Sequence, residues 1–215
     1  EPSAVLRELA AKPTWVWPVV LLMVISLAAQ LVIAPRLDMA GTLRERMERS
    51  GRQVSEEQLE QAVAMGGKIA RISMYASPLF VPIMLLMLAG VYALGLKVLG
   101  GNVDFSKLFA GISHAVMPSM LVASVLIMVV AWPRGAITGT EIPHLVRSGL
   151  GAWLGPDVHR AIVAAADILD IFNIWQWVLV VLALGIVGKL KRGQAIGLVA
   201  VVWGAWTVVK VGLAF

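Results

Sequence analysis

The chain has 215 residues, 59% of them hydrophobic and only 14% charged, with a mean hydropathy of +0.84. A soluble domain carries roughly 25% charged residues, so a single integral membrane domain is expected and most soluble-enzyme classes fall away. The net charge of +5 is spread over the ends of apolar runs, which anchors helices rather than nucleic acid, and the absence of cysteine excludes disulfides, thiolate nucleophiles and Cys-based metal sites.

Residues 2–12 place Val5, Leu6 and Leu9 on one helical face, with Arg7, Glu8 and Lys12 elsewhere, the pattern of a short interfacial helix. Pro13 ends it, and Trp15 and Trp17 follow at headgroup level. The first span is expected over residues 14–34. It is long enough to cross and lacks a small-residue cleavage site, so it reads as an uncleaved anchor. The sequence starts at Glu1 rather than Met, so further residues are expected before it.

Residues 36–73 carry 7 of the 18 Lys+Arg and 6 of the 13 Asp+Glu. They read as a charged extramembrane helical hairpin. Its first helix ends near Gly51, and its second opens on the capping box Ser55-Glu56-Glu57-Gln58. One reading is a solvated hairpin. The other is a partner-docking surface built from Arg44, Arg46, Arg49, Glu56, Glu57 and Glu60, interleaved with an apolar stripe.

The second span is expected over 74–96, with Pro78 and Pro82 kinking its entry. The third covers 105–132, carries Pro118 and exceeds the ~20 residues a bilayer requires. Residues 133–160 form a Gly/Pro-rich outer loop, in which HLVRSGLGAWLG could lie as an interfacial helix. Spans four (165–188) and five (194–214) make a hairpin joined by the basic turn Lys189-Leu190-Lys191-Arg192. The expected fold is an all-α polytopic bundle of five transmembrane helices plus the charged insert. Five crossings and the acid-free basic turn place the N-terminus in the cytoplasm and the C-terminus outside.

Candidate chemistry is sparse. Asp167 and Asp170 are three apart, on one helix face. Asp170 precedes Lys189 by about 28 Å of helix, so it belongs near the outer interface. Lys210 falls at similar depth on the next span, and an Asp170–Lys210 ion pair is expected, either structural or in transport. His114 is expected to pack with a backbone or Ser partner. Ser113 and Ser119 are lone intramembrane hydroxyls, a type that commonly bonds backbone carbonyls. His144, His159, Glu141 and Asp157 share the outer loop without metal-ligand spacing. No catalytic or nucleotide motif is present, and no cofactor is expected.

Three segments together resemble the bacterial members of the Yip1 domain family. They are Leu9–Trp15, the run from Leu99 to Phe109 that contains Gly100, Gly101 and Phe105 and is followed by Pro118, and Leu169–Trp175, which contains Phe172. The resemblance implies a five-helix fold with a cytoplasmic N-terminus. Eukaryotic members bind small GTPases through a long cytosolic tail that these residues do not carry, so that activity is not transferred. Some bacterial members are thought to accompany ABC-type export systems. The expected role is therefore a non-enzymatic adaptor or accessory subunit in a bacterial inner membrane. Its partners are the lipid bilayer and a membrane protein, such as an ABC-type transporter or adaptor, or a second copy. The alternative is a self-contained or homo-oligomeric transporter, channel or lipid-handling protein, in which Pro78, Pro82 and Pro118 break spans around a cavity.

Overall fold

The computed structural model describes residues 1–49, 55–155 and 158–212. Among them are nine α-helices: α1 (Pro2–Ala11), α2 (Val16–Ile33), α3 (Met39–Arg49), α4 (Glu56–Ala76), α5 (Phe80–Val98), α6 (Phe105–Ala131), α7 (Arg160–Ala166), α8 (Ile171–Ile186) and α9 (Arg192–Gly212). Two short strands, β1 (Leu37–Asp38) and β2 (Ile137–Thr138), pair in parallel. The fold is all-α and polytopic.

Four helical stretches are long and apolar enough to cross a membrane: Val16–Arg36, Glu56–Val98, Phe105–Ala131 and Arg192–Gly212. Their outward faces are bare hydrocarbon. Met87 is 62% exposed, Leu94 66% and Val201 70%. Water would not tolerate such a surface, and lipid requires it.

The fourth predicted span is corrected. Residues 165–188 are not one helix. The chain breaks between α7 and α8, and both pieces pack along α9. α8 is thus a shorter apolar helix than the four long stretches, with 16 residues rising about 24 Å. The second predicted span also differs. The helix of the charged insert, α4, runs directly into α5 through a 3-10 turn at Ser77–Leu79, where Pro78 sits.

The chain divides into two compact units. The first comprises Glu1–Leu22, Val81–Val122 and Arg147–Phe215. Its core is built from stripes at helical spacing: Leu85, Ala89, Tyr92 and Leu96 on α5, and Leu179, Val180, Ala183 and Leu184 on α8. The N-terminal part of α6 adds Leu108, Ala110, Ile112 and Ala115. Because lipid is as apolar as these side chains, close packing rather than water exclusion holds them. Small residues permit it. A Cβ at Gly111 would come within 3.1 Å of a Val187 methyl, and one at Gly188 within 3.2 Å of Leu96 Cδ2.

The turn after α5 has a specific geometry. Gly100 has φ +77°. Its N–H bonds Lys97 O at 3.0 Å, and Gly101 N–H bonds Leu96 O at 2.8 Å. This is a Schellman cap, which requires a left-handed residue at Gly100. Gly100→Ala is expected to cost about 1–2 kcal/mol, and Gly100→Asn less. Thermal unfolding followed by tryptophan fluorescence measures both.

The second unit comprises Met23–Phe80 and Ala123–Val146. Its core is Ala29, Ile33, Ala131, Ile137 and Leu145, with Val32, Met74, Ile127 and Ile142 against it. Here the charged insert is docked rather than freely solvated. α3 packs on α4 and on β2. The outer loop holds no α-helix over HLVRSGLGAWLG. It forms 3-10 turns at Ile142–His144 and Leu150–Trp153 instead, because Gly149 and Gly151 weaken a helix and backbone at Ser148–Leu150 pairs elsewhere.

Candidate functional site

Two polar constructions stand out, one in each unit. The first is the break between α7 and α8. Asp170 is the N-cap of α8, and its Oδ1 accepts from Phe172 N–H at 2.7 Å and Asn173 N–H at 3.3 Å. Its Oδ2 accepts from the Ser148 hydroxyl. Backbone bonds run alongside, from Leu150 N–H to Leu169 O and from Ile171 N–H to Ser148 O, both 3.3 Å. Asp167 closes α7 as its C-cap residue. Gly151 lies so close that a Cβ there would overlap the Asp167 carboxylate.

Two expectations about this region are therefore corrected. Asp167 and Asp170 do not share a helix face, because the helix ends between them. The Asp170–Lys210 ion pair is not found among the described residues. Asp170 is taken up by its own helix start and Ser148, and Lys210 is exposed in the last turn of α9.

The second construction fastens the insert to the outer loop. The Glu45 carboxylate accepts from the hydroxyls of Thr138 and Thr140. Gly139 N–H donates to Thr42 Oγ1 at 2.7 Å, and Thr138 N–H donates to Glu141 at 2.9 Å. Arg36 closes the base. Its guanidinium donates to Val32 O (2.6 Å), Trp132 O (3.0 Å) and Arg134 O (3.2 Å), and it lies 5.3 Å from the Trp132 ring centroid. The capping box at Ser55 is formed, with Ser55 and Gln58 exchanging 3.3 Å bonds.

The docking residues expected from sequence divide. Arg44 and Glu56 pair with each other at 3.0 Å. Both are largely exposed, so the pair contributes at most about 1 kcal/mol. Arg46, Glu57 and Glu60 are exposed. The Arg49 side chain lies outside the described residues, as does Asp157. Among the described residues no group of three His, Asp or Glu could hold a metal. His159 caps α7 instead, accepting from Ala161 N–H at 3.3 Å.

His114 is buried in α6. Its Nδ1 is 2.8 Å from Ala110 O, so that nitrogen carries the proton. Trp17 meets the ring edge-on at 4.8 Å. Ser119 Oγ is within reach of Val116 O (3.0 Å) and of Gln176 Oε1 on α8 (3.2 Å). The Ser113 hydroxyl, expected to bond a carbonyl, is buried without a partner among the described residues.

The Yip1 domain matches residues 1–213, nearly the whole chain. The chain belongs to the Yip1 domain family. It has no match among curated proteins and none among solved structures.

The residues that carry the Yip1 resemblance have local structural tasks. Gly100 and Gly101 end α5, and Asp104 starts α6 by accepting from Ser106 N–H at 2.8 Å. Phe105 stacks on Phe109 at 6.2 Å, and Phe109 meets Trp15 at 5.5 Å. Pro118 lies inside α6, where it removes one backbone bond and so leaves the His114 carbonyl free of its i+4 donor. Phe172 and Trp175 lie in the first turns of α8, Phe172 half-buried and Trp175 more exposed. Sequence reasoning missed Arg36, Glu45, Thr138 and Ser148. Their only signal was polarity at the span ends, which fits ordinary anchoring equally well.

Proposed function

We propose that this Yip1 domain protein is a non-enzymatic adaptor or accessory subunit of a membrane complex, with an export system as the class of assembly. The observation that carries the reading is the insert. Glu45, Thr42 and Arg36 fasten it to a frame, while Arg46, Glu57 and Glu60 stay exposed. The stripe Met65, Ile69 and Ile72 is 63–75% exposed on α4, the helix that carries Glu57 and Glu60. An apolar stripe edged by charges suits a partner helix.

We place the protein in a bacterial inner membrane, with the N-terminus cytoplasmic and the C-terminus periplasmic. The acid-free turn Lys189–Arg192 supports that orientation. The insert would then face the periplasm.

The test is affinity purification from native membranes in mild detergent, with mass spectrometry of the eluate. A stoichiometric partner is expected. The combined variant Arg46→Glu, Glu57→Lys, Glu60→Lys should reduce that partner roughly tenfold or more, since like-charge contacts cost several kcal/mol, with unchanged thermal unfolding. Exchanging Arg44 and Glu56 keeps their internal pair and separates docking from folding. Recovery of this chain alone would turn the case to a transporter, channel or lipid-handling protein. The break at Asp170 favours that second reading, because interrupted helices commonly line transport sites. Ion or lipid flux in proteoliposomes, altered by Asp170→Asn, would establish it.

A further inference from the structure

One end of the first unit gathers unpaired positive charge from four separate parts of the chain. The contacts of Gly188 with Leu96 and of Gly111 with Val187 bring the end of α5, the start of α6 and the α8–α9 turn together. Trp15 against Phe109 adds the start of α2. α1 packs on α8, burying Leu6 and Leu9. The basic residues on these segments are Arg7, Lys12, Lys97, Lys107, Lys189, Lys191 and Arg192, all exposed except the half-buried Lys107. None of them forms an ion pair among the described residues. The acids nearby are Glu1, Glu8 and Asp104, and Asp104 is occupied at the start of α6.

Position decides what such a surface meets. It lies where membrane-crossing helices end, beside the exposed rings of Trp15 and Trp17, which is headgroup depth. Lys189 has φ +55° in the five-residue connection 187–191 between α8 and α9, and Lys189, Lys191 and Arg192 are all exposed there. We propose that this end of the protein binds the headgroups of anionic phospholipids in the adjoining leaflet. Seven Lys and Arg stand at these span ends, and a cluster of four to eight Lys and Arg at a span end is the pattern that anionic lipid recognises. The proposal uses none of the residues assigned to docking on α3 and α4, so the two stand or fall independently.

The test uses the full chain reconstituted in equimolar phosphatidylglycerol and phosphatidylcholine, extracted in mild detergent, with retained lipid quantified by mass spectrometry. Phosphatidylglycerol should be enriched, and Lys189→Gln, Lys191→Gln, Arg192→Gln should cut that enrichment roughly tenfold. Arg44→Gln with Arg46→Gln, on the other unit, should leave it unchanged. Inorganic phosphate should not displace the lipid. Equal retention of the two lipids overturns the proposal, as does full displacement by phosphate, which would mark a soluble-anion site. If the triple variant does not fold, the wild-type chain decides. Enrichment that falls with ionic strength supports the site, and enrichment indifferent to salt overturns it.

Discussion

Asp170→Ala should destabilise the protein by about 3 kcal/mol. Two contributions make up that figure. Loss of an N-cap side chain costs roughly 0.5–2 kcal/mol, and here the cap serves both Phe172 and Asn173 N–H. Loss of a hydrogen bond to a charged group costs roughly 1.5–3 kcal/mol, and Ser148 supplies it. Asp170→Asn keeps a cap oxygen and should lose only about 1 kcal/mol. Ser148→Ala should cost less than Asp170→Ala, and the double variant no more than Asp170→Ala alone, because both single changes remove the same bond. Trp175 and Trp177 lie on α8, so tryptophan fluorescence reports the transition directly. A melt for Asp170→Ala within error of wild type would mean the break in this span is held by something other than its carboxylate.

That break was the least legible part of the sequence. The run from Ala161 to Gly188 is apolar enough to read as one span, and a hydropathy pattern does not register a four-residue interruption. Asp170 was visible, but a charged residue in an apolar run reads first as half of an ion pair. Its role as a cap depends on Ser148 and Gly149, 22 and 21 positions earlier, and no local period points to them. Elsewhere the local chemistry sufficed. Ser55 and Gln58 read correctly as a capping box, and Gly100-Gly101 as a turn, because each is closed by neighbours within six residues. The all-α membrane fold was legible for the same kind of reason, since composition and run length follow directly from the solvent. Docking of the insert was not legible, because Glu45 meets Thr138 and Thr140 more than ninety positions away.

Arg36 is the strongest of these non-local fastenings, and Arg36→Ala should cost the second unit about 3 kcal/mol. The side chain binds three carbonyls at once. Val32 O lies in the last turn of α2, and Trp132 O and Arg134 O just beyond α6. Helix C-termini leave carbonyls without partners and carry partial negative charge, so one cation satisfies two helix ends. Each charge-assisted bond contributes roughly 1.5–3 kcal/mol. The donors toward Trp132 and Arg134 are exposed to solvent, which brings the total down, and stacking over Trp132 adds about 0.5–1 kcal/mol. Arg36→Lys should recover less than half, because an ammonium is a point charge and cannot fork to three carbonyls or lie flat on the indole. Trp132→Ala should lose only the stacking and packing part, since the Trp132 carbonyl remains. Hydrogen exchange separates this from a general loss of stability. Protection should fall in α3 and in residues 134–142, which rest on the Arg36 base, before it falls in α8 and α9. Uniform loss across both units would show that Arg36 acts on the whole fold rather than on the insert it anchors.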